Sequence, residues 1–106
     1  MAQALVTLPK SVKKGDIIEI KALVGHPMET GFRPGVDGKT LPRDIIKKVQ
    51  CRYLGIVVFE AEFFTSIAAN PFVSFNLRAT DTGSIQFTWE GDNGFIHNES
   101  QTLVVS

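Results

Sequence analysis

The sequence predicts an all-β fold: an antiparallel β-sandwich of the immunoglobulin or fibronectin III type, with about seven strands. Three observations predict it. Apolar and polar residues alternate with a period of two over several runs of seven to ten residues, turn residues separate those runs, and no run has a strong helical period. A chain of 106 residues has the size of one domain, so we expect residues 1–106 to form a single sandwich.

The N-terminal half provides four of the predicted strands. An edge strand is expected near 3–8, and 16–24 alternates cleanly. The runs 45–54 and 56–63 follow, separated by the turn pair Leu54-Gly55. Period two assigns these residues to the inner face of the three longer strands: Ile18, Ile20, Ala22, Val24, Val49, Cys51, Tyr53, Val57, Phe59, Ala61 and Phe63.

The C-terminal half provides three more strands. Every second residue is apolar in 72–79 and in 84–90. The turn Gly91-Asp92-Asn93-Gly94 suits a hairpin that joins 84–90 to 95–105. The residues expected on the inner face are Val73, Phe75, Leu77, Ile85, Phe87 and Trp89.

A local spacing supports the immunoglobulin-like topology. The segment 81–87, DTGSIQF, follows the pattern D-x-G-x-Y-x-C that leads into strand F of immunoglobulin domains. Ile85 stands at the position of the tyrosine and Phe87 at that of the cysteine. We therefore expect no inter-sheet disulfide there, and we expect Phe87 and Trp89 to fill its volume.

The composition limits the classes of partner that the chain is expected to bind. The formal net charge is zero, which argues against nucleic acid or an anionic membrane surface as the main partner. The longest uncharged run, 63–77, is too short and too polar to span a membrane, and the N-terminus lacks the apolar region of a signal peptide. All eleven basic residues precede residue 79, while residues 79–106 contribute four acidic ones. This asymmetry fits either solvated strand edges or a polarised surface.

The chain is poor in catalytic chemistry. Cys51 lies in the middle of a strand on the face of Val49 and Tyr53, where a thiol behaves as a small buried apolar group. No catalytic motif is present, so we expect no enzymatic activity. The alternative is a small copper or redox protein with a β-sandwich that would use His26, Met28 and His97.

The segment 26–31, HPMETG, instead favours a docking corner. Pro27 restricts His26 to extended backbone, and Gly31 permits a sharp exit into the long irregular stretch 26–43. Met28 offers an adaptable apolar contact, and Glu29 can accept a backbone N–H or a cation. Long loops in small domains tend to carry function, and here we expect binding.

The strands also have an apolar surplus on the face opposite the expected core. A monomer rarely exposes a continuous apolar patch of more than a few hundred Å², so the surplus indicates a sheet buried against a partner. The residues expected on that outer side are Ile17, Leu23, Ile46, Leu54, Val58, Phe64 and Phe72.

Four segments together resemble the SoxZ family of sulfur-oxidation proteins: 9–33, 42–55, 68–89 and the terminal Val-Val-Ser. HPMETG followed by 69–72, ANPF, is the most specific part, whereas 56–66 is less similar. The resemblance implies a non-catalytic subunit with an immunoglobulin- or fibronectin-like fold, without cofactor or metal. Its partner would be SoxY, whose C-terminal Gly-Gly-Cys-Gly-Gly arm holds the sulfur intermediates of thiosulfate oxidation.

The resemblance further implies a heterodimer in the periplasm, exported with SoxY because this chain has no signal peptide of its own. This chain would hold no substrate covalently, and the pair would meet the other sulfur-oxidation enzymes transiently. The residues expected to contact a partner are His26, Pro27, Met28, Glu29, Thr30, Gly31, Asn70, Pro71 and Phe72.

Overall fold

Seven strands form in the computed structural model, which describes residues 3–106, so residues 1 and 2 of the predicted domain lie outside the described part. The strands are β1 (Ala4–Thr7), β2 (Ile17–Val24), β3 (Ile46–Tyr53), β4 (Ile56–Glu62), β5 (Phe72–Arg78), β6 (Gly83–Gly91) and β7 (Ile96–Leu103). One turn of 3₁₀ helix, Asp92–Gly94, joins β6 to β7. Every predicted strand is present with bounds within two residues of the prediction. Within residues 3–106, no helix is long and apolar enough to cross a membrane.

The strands form two antiparallel sheets packed face to face. One sheet has the order β1-β2-β5 and the other β4-β3-β6-β7. The fourth strand pairs with β3 instead of with β5. In the constant-type immunoglobulin domain the fourth strand joins the first sheet, so this chain has a variant of that arrangement. The predicted immunoglobulin-like sandwich is confirmed.

Aromatic side chains fill the space between the sheets. Phe87 and Trp89 are almost completely buried and their rings stack with centroids 5.4 Å apart, in the place where immunoglobulin domains have a disulfide. Phe59 on β4 and Phe75 on β5 stack in parallel with centroids 4.4 Å apart. Because β4 and β5 belong to different sheets, this pair closes one side of the sandwich.

Two bulges overturn three assignments of residues to faces. Ile46 was expected on the outer side, yet it is fully buried, because the pairing of β3 with β6 shifts register between Ile46 and Lys48. A second register shift, between Cys51 and Arg52 in the pairing of β3 with β4, leaves Val58 without a cross-strand partner. Val58 therefore packs against the core, whereas Val57, expected inside, is 43% exposed.

The Tyr53 hydroxyl fastens the turn between β5 and β6. It donates a hydrogen bond to the carbonyl oxygen of Asp81 and accepts from the backbone N–H groups of Thr80, at 3.2 Å, and of Asp81, at 3.0 Å. Immunoglobulin domains secure this corner with a tyrosine on strand F, where this chain has Ile85. A tyrosine on the neighbouring strand takes over that role here.

Removing this hydroxyl should destabilise the domain. We expect Tyr53→Phe to lower the free energy of unfolding by about 1–2 kcal/mol, because two backbone N–H groups and one carbonyl lose their partner. Urea unfolding followed by Trp89 fluorescence measures the change. Thr88→Val is the control, since Thr88 bonds Asn98 on the outer face of the same sheet and should cost less than about 0.5 kcal/mol. Equal stability of Tyr53→Phe and the wild type would contradict the assignment.

Candidate partner-binding site

A reciprocal pair of hydrogen bonds joins the end of β2 to the segment before β5. The His26 N–H donates to Asn70 Oδ1 at 3.0 Å, and the Asn70 N–H donates to the His26 carbonyl at 2.8 Å. Asn70 has a φ of 55°, a left-handed conformation that asparagine tolerates better than most residues. Two segments 44 residues apart in sequence are thereby fixed at one end of the sandwich.

The imidazole of His26 is used inside this corner. It is buried, and its Nδ1 accepts the Met28 N–H at 3.0 Å, which places the proton of the neutral ring on Nε2. Nε2 lies 3.7 Å from Asp44 Oδ1, and the ring meets Phe95 edge-on with centroids 4.9 Å apart. His26 therefore supports the backbone of the corner.

Met28 links the corner to the start of β3. Its side chain is buried, its φ is 52°, and its Sδ lies 3.2 Å from the N–H of Ile46. The next residue, Glu29, exchanges two backbone hydrogen bonds of 2.8 Å with Asp44. The positive φ at Met28 is unusual for a residue other than glycine, and the burial of its side chain keeps it in place.

Ion pairs hold both ends of the long loop. Arg33 donates to Glu29 at 2.6 Å and holds the pKa of that carboxyl below its usual value. Arg43 donates two hydrogen bonds of 2.9 Å to Asp92, which also accepts the Ile45 N–H. The Arg43 guanidinium is the main reason that the pKa of Asp92 is lowered. For Glu29 the sequence left open a backbone N–H or a cation, and the structure shows the cation; the Arg43–Asp92 pair, whose members are 49 residues apart, was not expected.

The corner thus has a buried and an accessible part. His26, Met28 and Pro71 are buried. Pro27, Asn70 and Phe72 are exposed, and Glu29, Thr30 and Gly31 are partly exposed. The structure gathers the two predicted groups, 26–31 and 70–72, at one end of the molecule, while their contact with a partner remains a prediction.

Exposed apolar side chains continue from this corner over the outer face of the three-stranded sheet. Leu5 pairs across the strands with Leu23, and Leu23 pairs with Phe72. Of the residues expected outside, Ile17, Leu23, Leu54, Phe64 and Phe72 are exposed. Leu5 was not singled out from the sequence, although it has the same outward phase in β1.

Neither Cys51 nor the histidines form a reactive cluster. Cys51 is fully buried, as expected, and burial raises the pKa of its thiol to about 12. His97 on β7 has its Nε2 3.5 Å from Glu99 and its ring beside Trp89. Residues 3–106 contain no group of three or more His, Cys, Asp or Glu side chains arranged to hold a metal ion.

Comparisons with known proteins extend this picture. The family model of the sulphur oxidation protein SoxZ matches residues 6–102. A comparison with curated protein sequences finds no match.

Several solved structures share the fold. The superoxide reductase (neelaredoxin) of Ignicoccus hospitalis has a TM-score of 0.75 at 16% identity, covering 98% of this chain and 80% of that one. A putative superoxide reductase of Thermotoga maritima gives 0.75 at 18% identity, with 97% and 85% covered. The sulfur carrier protein SoxY from Chlorobium limicola f thiosulfatophilum gives 0.68 at 11% identity, with 97% and 78% covered. At these identities the likeness concerns the fold alone.

Substitutions of Asn70 separate its two contributions to the corner. We expect Asn70→Gly to cost about 1 kcal/mol of unfolding free energy, because the His26 N–H loses its acceptor while glycine keeps the positive φ. Asn70→Ala should cost about 1 kcal/mol more, since alanine also resists that φ. Asn70→Asp retains an acceptor and is the control. Urea unfolding measures all three, and equal stability of the glycine and alanine variants would contradict the strained conformation.

Proposed function

Since the chain belongs to the SoxZ family of sulphur oxidation proteins, we propose that it is the non-catalytic subunit of a heterodimeric sulfur carrier. Its partner is a SoxY-like chain, whose C-terminal Gly-Gly-Cys-Gly-Gly arm carries sulfur intermediates between the enzymes of thiosulfate oxidation. This chain stabilises the partner and gives the arm a rigid base. The pair works in the periplasm and is exported with the partner's signal.

The observation that carries this proposal is the state of Cys51, the chain's one thiol. Sulfur transfer requires a thiolate that reaches solvent, because the thiolate is the nucleophile. Cys51 is fully buried, and its pKa of about 12 leaves almost no thiolate at neutral pH. A second reactive thiol beside the carrier arm would compete for sulfur and form mixed disulfides. The buried thiol suits a subunit that supports the carrier without carrying sulfur itself.

The copper or redox alternative gains no support from the donor atoms. Nδ1 of His26 and Sδ of Met28 both face backbone N–H groups inside the corner. His97 lies on β7 with Glu99 as its polar neighbour. The likeness to superoxide reductases concerns the fold alone.

Thiol labelling tests the inert state of Cys51. In the purified pair at pH 8, we expect a maleimide to modify the arm cysteine at least a thousandfold faster than Cys51, because Cys51 is fully buried and burial raises the pKa of its thiol to about 12. In urea, where the chains are unfolded, the two cysteines should be labelled at similar rates. This control shows that Cys51 can react once it is exposed. Mass spectrometry of the two chains gives both rates. Comparable rates in the folded pair would contradict this role for the chain.

Co-purification tests the pairing itself. When this chain is tagged and co-expressed with the SoxY-like chain of the same organism, we expect one-to-one recovery, and the mass of the pair is measured by light scattering. Deleting the Gly-Gly-Cys-Gly-Gly arm should leave the pair intact, since the sandwich and not the arm provides the interface. A soluble monomer that ignores the SoxY-like chain would refute the proposal.

A further inference from the structure

An apolar row crosses all three strands of the smaller sheet. Leu5, Leu23 and Phe72 are direct cross-strand neighbours, so their side chains share the outer face, where they are 61%, 38% and 58% exposed. A depression of about 310 Å³ lies at the row, bordered by Leu5, Leu23, Gly25 and Asn70. The row therefore sits beside the His26–Asn70 corner and offers a recess large enough for a side chain.

The charged side chains at the centre of this face are paired with each other. Lys21 Nζ lies 3.5 Å from Glu19, and Ser74 donates to the same carboxylate at 2.9 Å. The next cross-strand row, Thr7, Lys21 and Ser74, contains only one charge, that of Lys21, and the Glu19 carboxylate neutralises it. A partner that covers this face would therefore bury the two charges as a pair. Burying an unpaired charge is what costs the most free energy.

The outer face of the larger sheet has a different character. One of its cross-strand rows runs Glu62, Lys48, Glu90 and Ile96, and the next runs Glu60, Gln50, Thr88 and Asn98. These rows contain hydrogen bonds between side chains, such as Gln50 to Glu60 at 2.8 Å. The exposed large apolar side chains of this sheet lie on its two edge strands, Ile56 and Val57 on β4 and Ile96 on β7. Only the smaller sheet, among residues 3–106, has exposed apolar side chains on three neighbouring strands.

We propose that the outer face of the sheet β1-β2-β5 receives the SoxY-like partner, and that a large apolar side chain of the partner fills the recess between Leu5, Leu23 and Asn70. This inference rests on the proposed function and names the surface that serves it. The fold of SoxY suits such a contact, because the SoxY of Chlorobium limicola f thiosulfatophilum shares this sandwich fold over 78% of its chain, and the sheets of two sandwiches can pack face to face.

The size of the face determines how far the contact extends. Strands of four, eight and seven residues cover roughly 300 Å², from the strand spacing and the rise per residue. A stable pair buries about 800 Å² on each side, so the sheet face alone is too small. The contact must continue past Phe72 onto exposed residues at the same end, and Asn70 and Pro27 are available. The corner and the apolar row form one continuous surface.

Three truncations with matched controls test this surface in the full-length pair. Leu5→Ser, Leu23→Ser and Phe72→Ser remove apolar contacts, while Ile96→Ser and Val57→Ser remove equally exposed side chains from the larger sheet. Titration calorimetry gives Kd for the SoxY-like chain, and urea unfolding confirms that each variant is folded. We expect Leu23→Ser and Phe72→Ser to raise Kd about 10- to 30-fold and the controls to stay within about twofold.

The outcomes separate this inference from the proposed function. If the wild type binds and the three row variants bind equally well, the surface is wrong and the heterodimer stands. Equal losses in the controls would also overturn it. If light scattering shows a dimer of this chain that only the row variants disrupt, a second copy occupies the face. A wild-type chain that fails to bind removes the proposed function, and this inference falls with it.

Discussion

The pair of hydrogen bonds between His26 and Asn70 is the constraint on which one whole end of the molecule depends. These bonds fix where β2 stops and where β5 starts, since Phe72 follows Asn70 by two residues. The same turn points His26 inward, where its ring holds Met28, and Met28 in turn meets the first residue of β3. Local strain at two positive φ values is tolerated because these contacts over-determine the backbone.

The strands and most of the core followed from period two alone, because one buried face per strand leaves a clear alternation in the sequence. Ile46, Val57 and Val58 escaped that reasoning for one physical cause. A bulge adds a residue to one strand of a pair and reverses the phase beyond it, and it depends on the partner strand. Alternation within a single strand contains no information about the register with its neighbour.

The sequence singled out the candidate site, whose contact with a partner stays a prediction, and the fold adds which of its residues are buried and which are exposed. HPMETG stood out because histidine, methionine and glutamate seldom occur so close together in a chain otherwise poor in reactive groups. Only the fold shows that His26 and Met28 face inward and that Arg43 reaches Asp92. Leu5 was not singled out because β1 has only four residues, too few for a reliable period, and it joins an exposed apolar row only through Leu23 beside it.

These features explain why a subunit without its own chemistry belongs in the proposed carrier. The proposed carrier sets two conditions for the base of the partner's arm: a fixed position, and no competing nucleophile that would form mixed disulfides. Cys51 meets the second condition through burial between the sheets, where its neighbours across the strands are Phe59 and Phe87. The hydrogen-bonded corner beside the apolar row meets the first condition, because it fixes two segments at one end of the sandwich. In the proposed pair, this chain therefore binds the partner through one end of the sandwich and places no reactive thiol near the partner's arm.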